Sequence, residues 1–258
     1  MSNIFLQPNA ENFDEFLDYA VKNDYNLEIA SFAFAAVLDS NWKEIMKDYK
    51  NKLKKFEGRV SLHGAFQDII IHSRDIKIQN ISKERIFQNL LIAKELNAEY
   101  IVFHGNFNPL IRHLSYEKNW VEQNAKLWHE AIERYDITIL IENVWETSPG
   151  IFLNLINAVN SPKLKICFDT GHANIFSEVP LEEWFSCLRD NIAYIHINDN
   201  EGKFDNEMVP GDGNINWHEF SDLINKYKIN PVYVFEVGSL EKSKRSIQYF
   251  RENKICNF

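Results

Sequence analysis

The sequence predicts an α/β protein, a single (β/α)8 barrel, on three observations. Short apolar runs alternate with helix-length stretches from one end of the 258 residues to the other, eight of each. The strand-like runs are almost continuously apolar, as expected when helices cover the outside of a parallel sheet. No Pro/Gly/Ser-rich linker divides the chain, so residues 1–258 read as one domain. A doubly wound open sheet is the alternative, but no glycine-rich phosphate loop follows the first strand.

Residues 4–6 form the first predicted strand and 12–22 the first helix. A second strand covers 25–30, and a helix over 42–56 stops near Gly58. Strand three is 60–63. A long loop follows, and Ser82 is expected to cap the next helix, where Arg85 and Ile86 recur with Leu90 and Leu91 at helical spacing. Strand four (100–104) leads to a long helix over 116–134, and strand five (138–142) to a helix over 150–159. Strand six (164–169) precedes a helix over 181–188, and strand seven (192–198) a helix over 217–227. Strand eight (231–237) and a helix over 240–253 complete the pattern.

Composition narrows the function. Hydrophobic residues at 45% and aromatics at 14% support a packed core. No apolar run nears the roughly 18 residues of a membrane span, so no membrane partner is expected. Met1-Ser2-Asn3-Ile4-Phe5 lacks the basic segment and small-residue cleavage site of a secretory leader. Three scattered cysteines (Cys167, Cys187, Cys256) without metal-type spacing fit a reduced, cytoplasmic protein. The net charge of −9 argues against a nucleic-acid partner without ruling out a local basic cleft. Lys50, Lys52, Lys54 and Lys55, the densest basic cluster, read as the solvated end of a helix. A homo-oligomer stays open.

Chemistry concentrates at the strand ends. Ser61-Leu62-His63-Gly64, Ile101-Val102-Phe103-His104-Gly105, Ile139-Leu140-Ile141-Glu142-Asn143, Lys165-Ile166-Cys167-Phe168-Asp169, Tyr194-Ile195-His196-Ile197-Asn198 and Val232-Tyr233-Val234-Phe235-Glu236 each carry an apolar run to a His, Asp or Glu. An acid at the end of a buried strand is costly unless a cation meets it. In a barrel the C-terminal strand ends converge on one mouth. That brings together His63, His104, Glu142, Asp169, His196 and Glu236, with His172 three residues beyond Asp169. Three imidazoles and three carboxylates call for a divalent metal, and mixed N/O ligation suits Zn, Mn or Fe. Singly, such a histidine is more often hydrogen-bonded structure, and such an acid often caps a helix. Six at equivalent positions outweigh that reading.

These motifs, over most of the chain, resemble the xylose-isomerase-like TIM-barrel superfamily. It includes sugar isomerases and epimerases of the tagatose-epimerase type and the endonuclease IV family of DNA-repair enzymes. For the sugar branch the resemblance implies a metal-dependent isomerase or epimerase acting on a sugar-like small molecule. Glu142, Asp169, His196 and Glu236 would hold one ion (Mn, Zn, Fe, Mg or Co). Glu142 and Glu236 would exchange a proton with the carbon beside a carbonyl through a cis-enediolate. His172, with His63 and His104, would contact substrate. The substrate-binding arginine of that branch aligns with Asn206, which leaves the particular sugar open.

For the endonuclease IV branch it implies a phosphodiesterase acting on apurinic or apyrimidinic DNA, with His63, His104, His172 and Asp205 as further metal ligands. The histidine that completes that cluster is replaced by Glu207, a harder ligand than zinc prefers. The loop Gly64-Ala65-Phe66-Gln67-Asp68 lacks the basic or tyrosine-rich character needed to grip a bent duplex, so the sugar branch is favoured.

Phe66, Phe107, Trp145 and Phe176 follow strand tips, where aromatics stack on sugars or simply pack. Trp145, three residues beyond Glu142, is the best placed for substrate contact. Cys167 should face the barrel interior with Asp169, as small core filler. In Pro210-Gly211-Asp212-Gly213-Asn214-Ile215-Asn216-Trp217 the glycines permit a tight turn, and Asn216 is expected to cap the next helix.

Overall fold

The computed structural model describes residues 2–258; Met1, part of the N-terminal stretch weighed as a leader, lies outside them. Eight parallel strands close into a barrel in sequence order. They are β1 (Ile4–Leu6), β2 (Asn26–Ile29), β3 (Val60–His63), β4 (Tyr100–His104), β5 (Thr138–Glu142), β6 (Leu164–Asp169), β7 (Ile192–Ile197) and β8 (Val232–Phe235). Pairing of Phe5 with Val234 and of Leu6 with Phe235 closes the ring. The helices outside it are α1 (Phe13–Asn23), α2 (Ala35–Leu38), α3 (Trp42–Lys52), α4 (Ile76–Glu95) and α5 (Leu114–Tyr135), followed by α6 (Gly150–Val159), α7 (Thr170–Phe176), α8 (Leu181–Leu188), α9 (Trp217–Tyr227) and α10 (Leu240–Glu252). The molecule is a (β/α)8 TIM barrel. None of the helices among the described residues is long and apolar enough to cross a membrane.

Strand alternation sorts the side chains into two layers. Phe5, Val102, Leu140, Cys167, Tyr194, Val232 and Val234 form one buried cluster inside the barrel. Leu62, Ile101, Phe103, Ile139, Ile141, Phe168, Ile195 and Phe235 belong to a larger one that includes helix residues such as Trp120, Trp128 and Trp184. Cys167 sits in the inner cluster with no exposure, so it fills core there.

Several boundaries differ from expectation. α4 starts at Ile76, because Asp75 accepts a hydrogen bond from Lys77 N and caps it. Ser82 is therefore a helix-interior residue. Its hydroxyl donates to Ile78 O and accepts from Ile70 N, tying the preceding loop to the helix. α5 begins at Leu114 behind His113. α7, which the sequence pattern does not show, follows β6 directly. Strands β7 and β8 are shorter than expected, which leaves Asn198 and Glu236 one residue past their ends. Asn216 caps α9 as expected, accepting from Glu219 N.

Candidate functional site

Counting in steps of two from the inner cluster toward the C-terminal ends gives one polar residue on every strand. Phe5 leads to Gln7, Asn26 to Glu28, Ser61 to His63, and Val102 to His104. Leu140 leads to Glu142, Cys167 to Asp169, Tyr194 to His196, and Val234 to Glu236. Neighbouring tips are in register, His104 beside Glu142 and Asp169 beside His196.

Glu142 is the hub. Its Oε2 lies 3.3 Å from His63 Nε2 and 3.5 Å from His104 Nε2. Its Oε1 lies 3.2 Å from His172 Nδ1 and 3.4 Å from His196 Nδ1. His63 donates through Nδ1 to Gly64 O, and His172 through Nδ1 to Asn143 O, each at 2.9 Å. Those bonds leave the Nε2 atoms of both rings facing carboxylates, Glu142 for His63 and Asp205 (3.2 Å) for His172. Asp169 does two jobs at once. Its Oδ1 accepts from His172 N and caps α7, and its Oδ2 accepts from the Asn198 amide.

Burial, the largest influence at each group, is met differently. It pushes Asp169, beside Glu142 and Glu236, up to about 7. It drives His104 down to about 3, leaving a neutral imidazole. At His63 burial also opposes charge, but the close Glu142 carboxylate and the charge of Glu28 and Glu236 raise it to about 9. Glu207 is pushed up to about 7 by burial and by Glu236, Asp205 and Asp169.

The donor set fits a metal ion. Ligand atoms of Glu142, Asp169, His196 and Glu236 all lie within 4.8 Å of one another, and so do those of His63, His104 and Glu142. Glu142 Oε2 and His196 Nδ1 are fully buried with no hydrogen-bond partner among the described residues. Glu236 Oε2 comes within 2.8 Å of His196 Nδ1 yet is not aligned as a hydrogen bond. Buried polar atoms are normally satisfied, and two orphaned ones, each among other potential ligand atoms, suit a cation.

Other expected residues are spread more widely. Asp205 reaches the cluster through His172. Glu207, at positive φ of 43°, lies against Gly238, two residues beyond Glu236. Phe66 packs on His104, ring centres 4.8 Å apart, and Phe107 packs between Tyr116 and Trp120. Trp145 is 44% exposed and, with Asn106 and Tyr116, lines a separate cavity of about 340 Å³. Sequence reasoning misses Gln7 and Glu28. Gln7 Nε2 donates to both Glu28 Oε1 and Glu236 Oε1, each at 2.8 Å, and Glu28 meets His196 Nε2 at 3.1 Å.

A closed parallel barrel with acids and imidazoles gathered at its C-terminal mouth defines the class. Residues 21–253 match the xylose isomerase-like TIM barrel family, and the chain belongs to it. An uncharacterized protein of Methanocaldococcus jannaschii is 28% identical over 198 residues, spanning 75% of this chain and 76% of that one. The structure is similar to that of the TTHB071 protein from Thermus thermophilus, soaked with ZnCl2, at a TM-score of 0.80 and 21% identity over 97% of each chain. A D-tagatose 3-epimerase-like protein gives a TM-score of 0.80 at 22% identity over 98% of each chain. At such identities the likeness to solved structures speaks for the fold alone.

Proposed function

We propose that the protein is a divalent-metal-dependent isomerase or epimerase of a sugar or sugar derivative. The observation that carries this reading is the placement of Glu142 and Glu236, which both approach His196 Nδ1, at 3.4 and 2.8 Å, in one pocket with Asp169. Glu142, Asp169, His196 and Glu236 would hold the ion, which supplies Lewis-acid polarisation of a carbonyl when bound. One glutamate removes the proton on the carbon beside that carbonyl, giving an enediolate, and the other returns a proton from its own side. His172, its Nδ1 committed to Asn143 O, turns Nε2 toward the mouth and Asp205, where it can meet a substrate hydroxyl. Phe66, packed on His104, shields the pocket from water. Membership of the xylose isomerase-like TIM barrel family agrees with this reaction class. Three unpaired cysteines agree with a reducing, cytoplasmic setting.

The test is deuterium exchange from solvent into a panel of ketoses and aldoses with Mn²⁺ present. The native chain should label the carbon beside the carbonyl, and Glu142→Gln and Glu236→Gln should each lose roughly 10²–10⁴-fold in rate. Exchange at the native rate in either variant overturns the assignment.

A second reading has its own observation, the His63, His104 and Glu142 triad. With Asp205 and Glu207 nearby it suits a cluster of several ions and phosphoester cleavage in abasic DNA. One bound ion per chain supports the sugar reaction. Two or three ions, lost together in His63→Ala, with nicking of an abasic duplex, support the phosphodiesterase.

A further inference from the structure

Glu28 carries no role in the proton exchange above, yet its placement is costly. It sits on β2 with no solvent exposure, inside a barrel whose neighbouring rung is largely apolar. A carboxylate is tolerated there only if donors are aimed at it. Two are. Gln7 Nε2 donates to Oε1 at 2.8 Å, and His196 Nε2 lies 3.1 Å from Oε1 and 3.3 Å from Oε2. A histidine has two ring nitrogens, and the bond made by one fixes the task of the other. With Nε2–H directed at Glu28, the atom left over is Nδ1, which is orphaned and faces Glu142 and Glu236.

We propose that Glu28 is a positioning residue: it accepts the hydrogen bond from His196 Nε2–H and so reserves Nδ1 as the ligand atom for a divalent cation. Gln7 is the second part of the device. One amide nitrogen bonds both Glu28 Oε1 and Glu236 Oε1, so the carboxylate that orients the histidine and the one beside its Nδ1 are held in a fixed relation. A carboxylate behind a ligating imidazole also raises its basicity, and loss of such a partner typically weakens metal affinity 10–100-fold. This inference rests on the metal-site reading above.

The experiment uses the full chain, Zn²⁺ alone as probe, and two readouts. Zinc affinity is measured by competition with a chromophoric chelator, and the His196 ring protons are followed by ¹⁵N spectra of metal-free and zinc-loaded protein. His196 is expected to keep Nε2–H in both states, zinc displacing only a proton at Nδ1. Glu28→Gln should bind zinc about 10–100-fold more weakly, with an unchanged metal-free melting curve. Glu28→Leu, which keeps volume but offers no acceptor, should lose more, so that glutamine partly rescues it. Native zinc affinity in Glu28→Gln, or a His196 protonated at Nδ1 alone, overturns the proposal. The spectra need no variant and decide the point even if both substitutions misfold. A native chain that takes up no zinc removes the proposed reaction, and the metal-free spectrum still shows whether Glu28 holds Nε2.

Discussion

Two buried carboxylates, 57 residues apart in number, are treated in opposite ways by this barrel. Asp199, in the loop after β7, has no exposure and four donors. Its Oδ1 accepts from Asn200 N (2.9 Å) and Ile215 N (3.2 Å), and its Oδ2 from Gly211 N (2.8 Å) and Trp217 Nε1 (3.0 Å). The fit is tight enough that a Cβ on Gly213 would come within 2.3 Å of Asp199 Oδ1. Glu142 is equally buried, but its Oε2 has no aligned donor and faces imidazole nitrogens instead. A completely satisfied buried acid fixes a loop. An incompletely satisfied one, ringed by potential ligand atoms, keeps an acceptor open to an incoming cation or donor.

The contrast can be broken most directly by exchanging the two outcomes. Glu142→Gln should cost turnover roughly 10²–10⁴-fold, on the order of 4 kcal/mol of barrier, and leave the metal-free fold standing. Isotope exchange and a melting curve check both halves; a large loss of stability would make Glu142 another Asp199. Asp199→Ala should do the reverse, leaving backbone donors unpaired at a cost on the order of 3 kcal/mol in urea unfolding. Unfolding at the native midpoint would remove its structural role. Added zinc sharpens the comparison further. At about 100-fold above its dissociation constant it should stabilise the native chain by about 2.7 kcal/mol and His196→Ala by far less. Equal stabilisation of both would place the ion elsewhere.

A smaller effect lies outside both regions. Burial holds the His72 imidazole down at about 4, and its Nε2 shares a hydrogen bond with the Tyr116 hydroxyl at 3.1 Å. The unfolded chain protonates this ring near pH 6.5 and the folded chain does not, so stability falls as pH drops through the interval between 6.5 and about 4. The slope in that interval is up to about 1.4 kcal/mol per pH unit. His72→Gln should flatten this part of the acid unfolding profile, and an unchanged profile would show that another group titrates there.

How much of this is legible beforehand depends on what each signal encodes. Strand alternation and burial on both faces are written in the apolar runs, so the barrel and the six acids and imidazoles of its last six strands can be read. Gln7 escapes because a neutral amide carries no charge to flag it. Glu28 escapes because the apolar pattern carries the second strand on to Ala30 and buries the glutamate in mid-run, whereas β2 ends at Ile29. The start of α4 is hidden because Ile76, Ile78 and Ile81 are exposed and break the expected apolar stripe. In α7 the glycine reads as a turn. Gly171 is needed for another reason: a Cβ there would come within 1.8 Å of Asn198 Oδ1, the amide whose nitrogen bonds Asp169. Such packing demands reside in partners far along the chain and leave no local pattern.

The clasp made by Gln7 also dates the site in the life of the polypeptide. Its amide and the Glu236 carboxylate are separated by 229 positions, and they meet only because β1 and β8 lie side by side. During synthesis the first strand leaves the ribosome with its partner still untranslated, so no nascent intermediate short of the eighth strand can assemble this pocket. Completion of the pocket is thereby deferred until the ring has closed.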